Sequence, residues 1–205
     1  MARCGVTTAF DMATWLIKLL ASPRGQKDVT DIQACCLPAT APGSTHSKFL
    51  THPHEALTSN AIGSKRFVDG RLAEGADYIK VVADVLGPDH ESINALVINA
   101  HMNDKLVIFR AINLTATHMA QIAGTDVITY TPLDGVMSDA EVHQVNKDKR
   151  ISIPTLVVIN GAAQGKNMDF GNSRKTAHRK QTRVAIPCPP GVPTQTCRRS
   201  PLKRI

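Results

Sequence analysis

Lys80 within residues 78–84 and Arg110 within 106–111 stand in short, mostly apolar stretches of this chain, and Tyr130 stands in a third, 126–131. Among the histidines, His52 and His54 flank Pro53, whose missing N–H argues against a regular buried strand there. The pair therefore reads as solvated loop histidines. His90, His101, His118 and His143 fall on expected helices or at their ends, where capping or solvation is the ordinary role. The cysteines are Cys4, Cys35, Cys36, Cys188 and Cys197, odd in number and without a Cys-x-x-Cys pair. That pattern argues against a disulfide framework or zinc ribbon and for a reducing, cytoplasmic setting. There is no Gly-x-Ser-x-Gly elbow and no glycine-rich phosphate loop. No catalytic residue is assigned.

The elements that carry these residues alternate. Residues 78–84, 106–111 and 126–131 are short, rich in β-branched side chains and almost continuously apolar, as in a parallel sheet covered on both faces. Between the first two, residues 89–102 place Ile93, Leu96, Val97 and Ala100 at helical spacing, with Asn103 as a stop signal. Between the second pair, residues 115–123 read as a helix closed by Gly124. A helix over 66–74, closed by Gly75, precedes Lys80, and residues 31–40 read as an earlier strand. Residues 42–47 after it read as a loop at a strand's carboxyl end. Ser138 and Glu141 form a capping-box pair for a helix with Val142 and Val145 facing inward, and residues 151–158 read as the last strand. Strand–helix alternation with short connections is the mark of βαβ units, so the fold class is α/β.

The segments GADYIKVVADVLGPD, KLVIFRA and AGTDVITYTPLD resemble consecutive strands of the amidohydrolase superfamily, in its dipeptidase-like and ochratoxinase-like branch. The resemblance implies a (β/α)8 TIM-barrel fold and a hydrolase of amide or other C–N bonds. It further implies a carbamylated lysine bridging two metal ions, zinc in the intact family. Lys80 stands at that lysine's position. Arg110 and Tyr130 stand where the resemblance implies two histidine ligands, so these are degenerate ligand positions. Residues 4–12 resemble the family's second strand. The first strand, with its His-x-His ligands, and the eighth, with a ligand aspartate, have no counterpart. His52 and His54 share the His-x-His spacing but follow the third strand instead. The expectation is an incomplete barrel of about six parallel strands, truncated, with the first and eighth missing. No metal is expected in this chain.

At 205 residues and 42% apolar, the chain supports one sizeable core, whereas a complete barrel usually takes about 250 residues. Residues 166–205 hold ten Lys or Arg and one acid, a balance of +9 against +7 for the whole chain, which leaves −2 for residues 1–165. The division expected is therefore a partial barrel over 1–165 and a basic, proline-rich, disordered tail over 166–205. The apolar run 13–21 is interrupted by Lys18 and is too short to cross a membrane. Two functions follow. One is an amidohydrolase-related protein that is catalytically impaired. The other is a non-enzymatic protein whose tail contacts nucleic acid or another anionic partner, weakly and without sequence preference. Open sheet edges would also invite self-association.

Overall fold

The computed structural model describes residues 2–13, 25–49, 52–83, 86–156 and 159. The tail 166–205 and nearly all of the apolar run 13–21 lie outside the described residues. Two parallel strands, β1 (Thr8–Asp11) and β2 (Asp31–Ala34), pair with each other. Four more form a second parallel sheet: β3 (Ile79–Ala83), β4 (Val107–Ala111), β5 (Val127–Thr129) and β6 (Ile151–Ile153), in that order.

The two sheets are one arc. Beyond β2 the chain rejoins β3 through a parallel bridge between Ala39 and Val81. The Ala39 N–H donates to the Lys80 carbonyl at 2.8 Å, and the Val82 N–H donates to the Ala39 carbonyl at 2.9 Å. Six strands therefore follow one another in chain order, every neighbour parallel, as a partial TIM-type barrel requires. Two strand ends differ from the sequence reading. The strand expected over 31–40 breaks after Ala34, because Cys36 takes a φ of 60° and lifts the chain off the ladder. The strand expected over 151–158 ends at Ile153, before Pro154 and Thr155, whose φ is 47°.

Local chemistry accounts for the helices. In α1 (Thr45–Phe49), a short helix forms where the sequence reads only a loop. The helix α2 (Ala61–Ala73) starts at an Asn60 cap whose side chain accepts from the Gly63 N–H at 2.8 Å, five residues before the start expected at Arg66. In α3 (His90–His101), Asp89 caps the Ser92 N–H at 2.8 Å and Ile93, Leu96, Val97 and Ala100 are all buried. Asn113 caps α4 (Leu114–Ala123), and Gly124 closes it at a φ of 82°, where a Cβ would be strained. Ser138 and Glu141 form the reciprocal capping box of α5 (Asp139–Lys147), which buries Val145.

Strand register sorts side chains onto two faces. Val81, Phe109 and Ile128 lie level across β3, β4 and β5 and join the core under the helices, with Phe67 and Leu96. On the opposite face Ile108 and Val127 pack with Cys35 and Tyr78. No helix among the described residues is long and apolar enough to cross a membrane.

Candidate functional site

Alternation along a strand decides what the second face presents toward the carboxyl ends. Lys80 lies level with Ile108, and one row higher Val82, Arg110 and Thr129 lie level across three strands. Since Ile108 and Val127 face away from the helices, so do Lys80, Arg110 and Thr129. Tyr130 follows directly, with a φ of 74° that redirects its side chain, while its N–H donates to the Ile153 carbonyl at 2.8 Å. These residues line a single cavity of about 780 Å³, together with His46 and Thr155. Tyr130 and Thr155 both hold left-handed backbone, a conformation that costs a non-glycine residue of order 1 kcal/mol or more and gathers at functional sites.

Lys80 is only 4% exposed, and its Nζ donates to Thr129 Oγ1 at a long 3.4 Å. Burial pushes the ammonium down to about 8, opposed by Cys35 and reinforced by the Arg110 charge. The Arg110 guanidinium lies over the Tyr130 ring, 5.0 Å from its centroid. Its Nε is buried and finds no hydrogen-bond partner among the described residues. Below the cavity, burial pushes the Cys35 thiol up to about 12 and the Tyr78 phenol up as well, so neither supplies a thiolate or phenolate near neutral pH. The Tyr78 hydroxyl donates to the Asp11 carbonyl at 2.5 Å.

A testable pH dependence follows from Lys80. Unfolded, the lysine keeps its proton up to about 10.5; folded, it releases the proton through about 8. Its contribution to stability is therefore lowest below pH 8 and rises between those values. Cys35, Cys36 and Tyr78 act in the opposite sense: their unfolded groups ionise near 9.0, 9.0 and 10.0, while burial holds the folded groups protonated. Comparison with Lys80→Met isolates the lysine. Between about pH 7 and about pH 9 the parent should gain roughly 1 kcal/mol on the variant in urea melts. Identical pH profiles would show that the ammonium is not desolvated.

The histidines divide. His46 reaches the cavity wall, and His52 packs edge-to-face on it with ring centroids 5.2 Å apart, so His52 is half-buried and not a solvated loop residue. His54 opens a 3-10 turn and is exposed. The helical histidines stay away from the cavity. His90 meets Asn94 at 2.9 Å, His101 meets Asp126 at 2.9 Å, His118 meets Glu141, and His143 is exposed. The turn-forming sequence of 42–47 places those residues at this end of the barrel, but nothing in the sequence marks His46 or Thr155. Thr129 does carry a signal, since it stands two residues past Val127 on one strand.

A pair of divalent cations needs several oxygen or imidazole donors converging on one point. Among the described residues no three His, Cys, Asp or Glu side chains are grouped to hold a metal ion. The described cavity lining instead brings two cations and no carboxylate. The donor set present does not fit the metal pair.

No family model and no curated protein matches the sequence. Solved structures do match the fold. A Xaa-Pro dipeptidase with bound methionine in its active site superposes with a TM-score of 0.68 at 18% identity, covering 87% of this chain and 49% of that one. An amidohydrolase gives 0.69 at 19% identity, covering 91% and 54%. The A. niger ochratoxinase gives 0.67 at 12% identity, covering 85% and 47%. The chain thus has a partial TIM-barrel-type fold in common with these structures, and it spans about half the length of the solved structures it matches.

Proposed function

We propose that this chain is a relative of metal-dependent hydrolases of amide and other C–N bonds whose own residues do not carry that reaction. What supports the relationship is the shared fold with a dipeptidase, an amidohydrolase and an ochratoxinase. What supports the loss is one observation. The cavity-facing side of β3 and β4 holds the buried amine of Lys80 and, one row higher, Arg110, with no acid in the described lining. In this reading Lys80 keeps the place of the bridging lysine, and Arg110 and Tyr130 replace histidine ligands. A guanidinium there repels a divalent cation, and a lone lysine has no metals to stabilise its carbamate. Without bound metal, no water is activated near neutral pH.

The test is hydrolysis of Xaa-Pro dipeptides and N-acyl amino acids by the full chain, with added zinc and with a chelator. The expected outcome is no chelator-sensitive turnover. Turnover that zinc supports and the chelator abolishes would overturn the proposal.

A further inference from the structure

We propose that the cavity between β3, β4 and β5 binds a small organic carboxylate, its head group held by Lys80 and Arg110. The apolar body would rest against Met12, Val82, Ile112 and Ile153, which line the same cavity. This goes beyond the proposed function and rests on its premise that no metal pair occupies the site.

Charge carries the argument. Two cations face one cavity from adjacent strands, and no Asp or Glu is among its described lining residues. Lys80 is 4% exposed and, among the described residues, its Nζ has one long hydrogen bond, to Thr129. A cation withdrawn from water without a counter-charge is strongly unfavourable, so an anion beside buried Lys80 removes that penalty while the half-buried Arg110 adds a second positive charge.

Geometry selects the anion. The Arg110 guanidinium carbon lies over the Tyr130 ring, 5.0 Å from its centroid, so the ring occupies one side of the group. Arg110 Nε is buried and without a partner among the described residues. A planar carboxylate matches a guanidinium fork with two parallel hydrogen bonds. The space is far larger than an inorganic ion requires, since about 780 Å³ lies within the range of small-molecule pockets. Its apolar walls favour a carboxylate that carries a hydrocarbon body over phosphate or sulfate.

The experiment is isothermal titration of the full chain near neutral pH with phenylacetate, its neutral isostere phenylacetamide, and inorganic phosphate. Phenylacetate should bind at least about tenfold more tightly than either of the others. Arg110→Met and Lys80→Met should each weaken phenylacetate by about tenfold or more and leave phenylacetamide unchanged. Equal affinity for phenylacetate and phenylacetamide overturns the proposal, as does phosphate binding as tightly as phenylacetate. So does an Arg110→Met protein, folded by circular dichroism, that binds phenylacetate like the parent. The comparison of the three probes on the parent needs no variant and stands even if a variant fails to fold. A chelator arm separates the two readings. Phenylacetate binding that a chelator abolishes would mean that a metal holds the anion, and would overturn the proposed function along with this site. Chelator-insensitive titrations without carboxylate preference would overturn this site alone.

Discussion

Replacing Arg110 and Tyr130 together by histidine should raise zinc affinity by at least about a hundredfold. Both side chains line the cavity, Arg110 level with Thr129 and Tyr130 at the next position along the chain. The double change removes a fixed positive charge and adds two imidazoles beside Lys80. Charge removal alone matters: a unit charge about 5 Å from a divalent ion opposes binding by several kcal/mol even at an effective dielectric constant of about 20. Arg110→Met separates the two effects, and its affinity should fall between the parent and the double variant. Hydrolysis should not return in either, because no carboxylate in the described lining can take a proton from a bound water. Zinc titration by competition with a chromophoric chelator measures the affinities. A double variant no tighter than the parent would mean that Arg110 and Tyr130 do not stand where metal ligands would.

Phe109→Ala should cost about 3–5 kcal/mol of stability, enough to unfold a marginal domain. Phe109 is fully buried and sits level with Val81 and Ile128 on the helix-facing side of the sheet. Its ring belongs to the cluster that fixes α2 and α3 against the strands, through Phe67, Val68, Ile93 and Leu96. Arg110, one residue along the same strand, faces the other way. The contrast between neighbours is therefore informative: Phe109→Ala should lower the urea midpoint steeply, whereas Arg110→Met should leave it close to the parent. A Phe109→Ala loss below about 1 kcal/mol would show that the helices do not pack on the sheet as described.

Much of this fold could be read from the chain because local and global preferences agree. The apolar runs around Val81, Phe109 and Ile128 have strand length and are bounded by helices with the correct period. Asp89, Ser138 and Gly124 mark helix ends by side-chain chemistry or by the absence of a side chain. The convergence of Lys80 and Arg110 on one cavity follows from parallel register, which places alternate residues of neighbouring strands on one face, whereas Tyr130 joins them because its φ of 74° turns it out of that alternation.

What could not be read has equally specific causes. Cys36 and Thr155 adopt left-handed backbone, and neither residue type signals it, so both neighbouring strands were drawn too long. The start of α2 was missed because Asn60 caps Gly63, with no glutamate three residues on to complete a recognisable box. His46 carries no periodic signal. Its place at the cavity depends on how the chain between Ala39 and Ala61 folds back over the strand ends.

If, as proposed, a cationic cavity stands in place of a metal centre, the metal content of the chain will show it. The full chain, purified after expression with added zinc and desalted, is analysed for metals by elemental mass spectrometry. Zinc should be far below one equivalent per chain, unchanged by prior treatment with a chelator. One or two equivalents of zinc, removed by the chelator and restored on adding zinc back, would contradict that proposal. That result would mean that donors in the cavity, His46 among them, hold a metal ion despite Arg110.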